Sequence, residues 1–262
     1  MTPKSWLFTP GGRPDRVAKA LASDAGAVIL DLEDSIAHAD KPQARNHVIA
    51  ALKSWSGASP SLGVRINPQC TEAHQADLDA LLPMTPRPAF LLVPKVEDAA
   101  AISSLVDQAA GLRIIALIET AKGVLKIGDI AAVAGLGGLM FGAADYAADL
   151  GGPGGDHPHA YARAAIGNAV AAYGMIAIDS PAFAVDDENG LIHDCQTARA
   201  MGFHAKAVIH PRQIAPVNAA FDWSDEDRVQ AARILASLDG VGILDGRMID
   251  EAMARWARRV LA

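Results

Sequence analysis

Val64-Arg65-Ile66-Asn67, Leu117-Ile118-Glu119-Thr120 and Phe141-Gly142-Ala143-Ala144-Asp145-Tyr146 are built alike: a short apolar run of strand character ends on polar or charged residues. Working outward, the same kind of run recurs at Trp6-Phe8, Val28-Leu32, Phe90-Val93, Met175-Ile178 and Ala205-Ile209, and the three quoted runs belong to strands at Val64-Ile66, Ile114-Ile118 and Leu139-Phe141. Between them lie alanine-rich amphipathic stretches of helical length at Arg16-Ser23, Pro42-Lys53, Asp98-Ala110, Ile127-Ala134, Ala160-Tyr173 and Asp194-Met201. Strand and helix alternate, which implies parallel pairing with helices covering the sheet. Eight such units are what an α/β (β/α)8 barrel of the TIM type needs, whereas an open doubly wound sheet, the alternative, usually has five or six strands. The pattern predicts a barrel over residues 1–215 and a C-terminal helical extension over 216–262.

The chain has 262 residues, of which 51% are hydrophobic, so one large domain can bury a full core without covalent staples. Its two cysteines, Cys70 and Cys195, are far apart and belong to no CxxC pair, which argues against a disulfide framework or a thiolate zinc site and fits a reducing compartment. The first residues lack the basic and apolar regions of a signal peptide, and no run approaches the length of a membrane span. A soluble, cytoplasmic protein is expected. The net charge of −7 argues against nucleic acid or an acidic membrane as partner. An anionic ligand must then be held by local positive charge.

Active sites of such barrels are built at the carboxyl ends of the strands, which here carry Thr9, Asp31, Arg65, Lys95, Glu119, Asp145, Asp179 and His210. Glu119 and Asp145 follow adjacent strands, so their carboxylates should lie close and repel unless a cation sits between them. A hard divalent ion resolves the repulsion, and Mg2+ commonly takes one or two carboxylates and leaves its other positions to water and substrate. The competing reading pairs each carboxylate with a neighbouring lysine or arginine. Arg65, just inside a strand end, suits a guanidinium that grips a carboxylate or an enolate oxygen, or else a rim salt bridge. Asp31, Glu33 and Asp34 form a second acidic cluster, with Asp31 and Glu33 on one side of the strand. Glu33 and Asp34 either orient metal-bound water or pair with Lys95 and nearby arginines.

The turn Thr9-Pro10-Gly11-Gly12-Arg13-Pro14-Asp15-Arg16 opens a helix that bears Lys19, and Arg13, Arg16 and Lys19 beside free backbone amides suit a phosphate-bearing ligand. Asp156, His157 and His159, after the glycine-rich Gly151-Gly152-Pro153-Gly154-Gly155, fit a solvated loop better than a metal cluster. His210 serves either catalysis or hydrogen bonding at the mouth. Lys95 stands where a Schiff-base lysine is possible, though a two-carboxylate metal site makes one unnecessary. Ser224 with Asp227 resembles a capping box before a helix at Asp225-Leu238. In a final helix Ile249, Met253, Trp256 and Val260 share one face; the barrel or a neighbouring subunit is expected to cover it.

Taken in order, Lys4-Ser5-Trp6-Leu7-Phe8-Thr9-Pro10-Gly11, Asp31-Leu32-Glu33-Asp34-Ser35, Val64-Arg65-Ile66-Asn67, Val93-Pro94-Lys95-Val96-Glu97, Ile118-Glu119-Thr120, Phe141-Gly142 with Asp145, Ile209-His210-Pro211 and Gly246-Arg247-Met248-Ile249-Asp250 resemble the citrate lyase β-subunit-like family, whose relatives include malyl-CoA and citramalyl-CoA lyases. The resemblance implies a Mg2+-dependent barrel that makes or breaks a carbon–carbon bond between an acyl-CoA thioester and a 2-oxo acid. By position it makes Glu119 and Asp145 the metal ligands and Arg65 the contact to the thioester enolate. The amides at Ala144 and Asp145 would hold the oxo-acid carboxylate, and Arg13, Arg16 and Lys19 the coenzyme A phosphates. It also implies an aspartate acid/base on the C-terminal segment, matched better by Asp250 than by Asp245, in a homotrimer or hexamer. The chain departs from the family at Lys4, where an arginine is usual, in its short C-terminal end and in the Gly151-Gly155 loop. A citrate lyase β subunit acting on a carrier-bound citryl thioester, a coenzyme A-independent aldolase of hydroxy-oxo acids, and a non-catalytic assembly barrel are the other readings.

Overall fold

The computed structural model of the protein describes residues 2–152, 159–238 and 240–261. Eight parallel strands close into a barrel in chain order: β1 (Ser5–Pro10), β2 (Ala27–Asp31), β3 (Ser61–Arg65), β4 (Phe90–Val93), β5 (Arg113–Ile118), β6 (Leu136–Phe141), β7 (Ile176–Asp179) and β8 (Ala205–Val208). Pairing of β1 with β8, Trp6 opposite Ala207 and Leu7 opposite Val208, closes the sheet and excludes the open doubly wound alternative. The strands are recognisable as apolar runs because a parallel barrel buries both of their faces.

One set of alternate residues points inward. Trp6 and Phe90, at the amino ends of β1 and β4, pack with ring centroids 4.7 Å apart and planes tilted by 56°, forming the floor of the inner layer with Ala27, Ala205 and Ile176. A side chain at Gly63 on β3 would strike the Phe90 ring, its Cβ falling 2.4 Å from the nearest ring carbon, so glycine there makes room for the phenylalanine. Above this floor sit Phe8, Ile29, Leu92, Ile115, Leu117, Met140, Ile178 and Ala207. The other set faces the helices in a second, larger apolar layer that includes Val28, Leu30, Val64, Leu91, Ile114, Ile118, Leu139 and Val208.

Most expected helices are present, among them Pro14–Leu21 with proline in its first turn, Lys41–Ser54, Ala99–Ala109, Ala160–Tyr173 and Glu188–Ala200. The stretch expected as one helix at 127–134 is preceded by another short helix, giving Ala121–Leu125 and Ile127–Ala131. Helix Glu72–Leu81 was not anticipated, because polar residues interrupt its apolar period. Thr71 caps it by accepting from His74 N–H at 3.1 Å. Its buried Asp77 accepts from the backbone and side-chain amides of Asn67 at 2.9 and 2.7 Å and from Arg45 at 2.8 Å, which pins the segment after β3.

The chain divides into two compact units, Met1–Phe221 and Asp222–Ala262, and helix Ile214–Ala220 belongs to the first. In the second, Ser224 and Asp227 form the expected capping box of helix Asp225–Ser237. A two-stranded antiparallel hairpin, Gly242–Leu244 with Arg247–Ile249, leads into helix Glu251–Leu261. The apolar stripe Ile249, Met253, Trp256 and Val260 finds its cover inside this unit, in a cluster with Ala231 and Ile234, and Trp223 meets Trp256 edge-on at 6.1 Å. Among the described residues no helix is long and apolar enough to cross a membrane, and Cys70 and Cys195 are both free thiols.

Candidate active site

At the carboxyl end of the barrel a cavity of about 510 Å3 is lined by Phe8, Thr9, Arg16, Asp31, Asp34, Arg65, Glu119, Gly142, Ala144, Asp145 and Phe183, among others. Its polar groups follow from strand alternation: Asp31 continues the inward set of β2, Arg65 that of β3, and Glu119 that of β5.

Asp31 and Arg65 lie directly opposite each other on paired strands. Arg65 Nε and Nη2 donate to the two oxygens of Asp31 at 2.7 and 2.8 Å, a bidentate fork. Backbone N–H groups of Glu33 and Ser35 donate to the same carboxylate at 2.9 and 3.2 Å. Glu33 Oε2 meets Arg65 Nη1 at 2.7 Å as an ion pair, Asp34 stands 3.7 Å from the same nitrogen, and the guanidinium lies 5.1 Å from the Phe8 ring centroid. Burial works against charge on both members of the fork, but each partner outweighs it: the Asp31 carboxyl is held below its ordinary pKa, and Arg65 is held above its own. Arg65 is thus a fixed cation with an oriented plane. Glu33 makes the ion pairs that one reading of the acidic cluster expects: its Oε1 also accepts from Lys95 Nζ at 2.9 Å.

Glu119 is 2% exposed. Its Oε1 accepts from Lys95 N–H at 2.8 Å. Burial, then the negative charges of Glu33 and Asp145, push its pKa up to about 8. Asp145 lies half-buried in the first turn of helix Ala143–Asp149 and lines the same cavity. Gly142 lies against Glu119: a Cβ there would fall 2.5 Å from Glu119 Cβ and 2.7 Å from Glu119 Oε2, so only glycine leaves the carboxylate its place. A buried carboxylate with raised pKa, a second carboxylate near it and a cradle without side chain fit a hard divalent cation. Among the described residues no group of three or more histidine, cysteine or acidic side chains forms a cage.

Other expected residues sit differently. Asp179, counted with the mouth ring, is turned to the helix side of β7 and completely buried. Its phase along the strand is that of Ala177, not of inward Ile178. It accepts from Arg163 at 2.9 Å and from Lys206 Nζ at 2.6 Å, and Asp194 completes the cluster by pairing with both cations. His210 caps the short turn Pro211–Gln213, its ring nitrogen accepting from Arg212 N–H. His159 packs its ring edge-on against Phe141 and Tyr146. Asp156 and His157 lie outside the described residues.

Arg16 lines the cavity, but Arg13 is exposed, pairs with Asp15 at 3.0 Å and lines a neighbouring hollow of about 300 Å3 with Gly12, Gln43 and His47. Lys19 is exposed one turn beyond Arg16 on the same helix. In the second unit Asp250 caps helix Glu251–Leu261, its Oδ1 accepting from Ala252 and Met253 N–H at 2.9 and 3.2 Å. Asp245 sits in the hairpin turn at φ +50° and pairs with Arg233 at 2.8 Å. Gly142 as a cradle, and Phe8 and Phe183 as walls, were missed from sequence. No local sequence signal marks them, because each acts through space across the barrel mouth.

Residues 4–211 match the HpcH/HpaI aldolase/citrate lyase family. The chain is 36% identical over 266 residues to a citrate lyase subunit beta-like protein of Mycobacterium tuberculosis, covering 98% of this chain and 93% of that one. Two proteins of Cereibacter sphaeroides are also similar. A (3S)-malyl-CoA thioesterase is 33% identical, covering 99% of this chain and 93% of its own. An L-malyl-CoA/beta-methylmalyl-CoA lyase is 32% identical, covering 97% and 92%. Among solved structures, CitE of M. tuberculosis in complex with magnesium, acetoacetate and coenzyme A superposes with a TM-score of 0.86 at 35% identity, covering 98% of this chain and 96% of that chain. With its motifs in order and its barrel closed around them, the chain belongs to the HpcH/HpaI aldolase/citrate lyase family of enzymes.

Proposed function

We propose that this chain is a Mg2+-dependent carbon–carbon lyase that cleaves, or forms, a 3-hydroxyacyl-CoA such as malyl-CoA or citramalyl-CoA, giving an acyl-CoA and a 2-oxo acid. The observation that carries the reading is one cavity in which buried Glu119 lies near Asp145 while clamped Arg65 supplies a fixed positive charge. The magnesium and coenzyme A held by the CitE relative support it.

Glu119 and Asp145 would hold the ion, which when bound supplies a Lewis acid for the substrate's oxygens. Arg65 faces the thioester enolate released on cleavage. Because Asp31 and Glu33 fix its plane, little reorganisation is needed as charge develops there. The amides at Ala144 and Asp145 are donors for the oxo-acid carboxylate, and Arg16 with Lys19 and Arg13 lies toward the coenzyme A phosphates. Asp250 is the acid/base at the carbon next to the thioester carbonyl. Asp245 is less suited, being tied to Arg233. The assembly that goes with this role is a cytoplasmic homotrimer or hexamer in which Asp250 serves a neighbouring subunit.

The test is release of a 2-oxo acid from malyl-CoA and citramalyl-CoA, with and without Mg2+, by the wild type and Glu119→Ala, with free thiol followed in parallel. Metal-dependent oxo-acid release, lost in the variant, is expected. The (3S)-malyl-CoA thioesterase relative favours a second reading, in which free coenzyme A appears without oxo acid. Cleavage only of a carrier-bound citryl thioester, or only of free hydroxy-oxo acids, would replace the proposal with the citrate lyase subunit or the aldolase.

A further inference from the structure

Lys95 lies just after β4 with a left-handed backbone, φ +53°, a conformation that glycine adopts more readily than lysine. From this turn its N–H donates to Glu119 Oε1 at 2.8 Å while its Nζ donates to Glu33 Oε1 at 2.9 Å. The other Glu33 oxygen rests 2.7 Å from Arg65 Nη1. Neither Lys95 nor Glu33 lines the cavity, whereas Arg65, Asp31 and Glu119 do. A glycine would satisfy the backbone; what the lysine adds is the ammonium on Glu33.

We infer that Lys95 is a positioning residue that clamps Glu33 against Arg65 with its side chain and orients Glu119 with its amide, so that one turn ties the arginine half of the mouth to the carboxylate half. The inference rests on the lyase reading and deepens it. Two tasks are separated on one residue: the amide, which any substitution but proline keeps, sets which Glu119 oxygen remains free, and the ammonium neutralises Glu33 so that Arg65 retains positive field for the substrate anion.

The test uses Lys95→Met, Lys95→Arg, Glu33→Gln and the Glu33→Gln/Lys95→Met double variant of the full chain. Lys95→Met is expected to lower kcat for thioester cleavage by about 10–100-fold, the usual scale for groups that orient ligands from behind, with KM changed by less than about threefold. Mg2+ affinity, titrated with the metal alone, is expected to stay or tighten, because the amide bond to Glu119 remains and a positive charge has gone. Lys95→Arg should regain most of the turnover. In the Glu33→Gln background Lys95→Met should add no further loss of kcat and no further fall in Tm, since residues acting as one unit are non-additive. Unchanged kcat, losses that add in full, or weakened Mg2+ binding together with a lowered Tm would each overturn the assignment. The Tm cycle needs no substrate, so an inactive wild type would sink the lyase reading and leave this coupling measurable.

Discussion

Asp31 holds Arg65 by two near-parallel hydrogen bonds of 2.7 and 2.8 Å across the register of neighbouring strands. Planarity and charge are both fixed by that fork, so each can be tested separately. Arg65→Lys keeps the charge and loses the fork; kcat should fall by about 10²–10³, the scale of removing one preorganised donor. Asp31→Asn keeps the shape and releases the guanidinium toward Glu33, with an expected fall of about 10–100-fold. Steady-state kinetics on the preferred thioester check both. A loss confined to KM would mean that Arg65 merely binds.

Proton linkage follows from Glu119. Its pKa in the folded protein is about 8, raised by burial and by Glu33 and Asp145. The fold therefore favours the protonated form: the advantage is complete below the ordinary carboxylate range and is lost as pH rises through about 8. A cation needs the carboxylate, so Mg2+ affinity should climb with pH up to about 8 and then level off. Calorimetric titration in two buffers of different ionisation enthalpy should show close to one proton released per ion at pH 6.5, and almost none well above the plateau. A flat profile would contradict the assignment of Glu119 as a ligand.

Gly142→Ala places one methyl group 2.7 Å from Glu119 Oε2. The carboxylate has to move, and metal affinity should weaken by about 10–100-fold while far-UV circular dichroism stays unchanged. Mg2+ titration of the purified variant measures it.

On the helix side of the barrel, Lys206 is completely buried and pairs with both Asp179 and Asp194, with Arg163 as the second cation. Lys206→Met strands two carboxylates against one arginine. Breaking such a buried pair from one end should cost about 3–5 kcal/mol in urea unfolding, because the remaining charge stays desolvated. Replacing one strongly paired group affects the fold, so any lyase activity measured well below Tm should retain its KM.

The eight strands were legible because each is a continuous apolar run, and Arg65, Glu119 and Asp145 because they interrupt such runs where the strands end. Asp179 was misplaced although its alternation with Ile178 pointed the other way. Phase, not position at the strand end, decides its side, and Arg163 on the otherwise apolar face of helix Ala160–Tyr173 is its buried partner. The pairing of Asp31 and Glu33 with Arg65 could not be read, since it depends on register: Asp31 stands opposite Arg65 only once β2 and β3 are paired. Helix Glu72–Leu81 escaped because its buried faces include His74 and Asp77, which hydrogen-bond to the loop after β3 and break the apolar period. Gly142 matters through the space it leaves, which no neighbouring residue in the chain announces.

Trp6 and Phe90 fill the amino-terminal end of the barrel with aromatic rings, at the opposite end from the cavity. Exposed Arg16 and Phe183 line the same cavity in which Glu119 is buried. Under the proposed cleavage, a product held against Glu119 would leave after one held nearer the mouth. Product inhibition should accordingly distinguish an inner occupant from an outer one, and the filled end of the barrel sets how deep the inner one can sit.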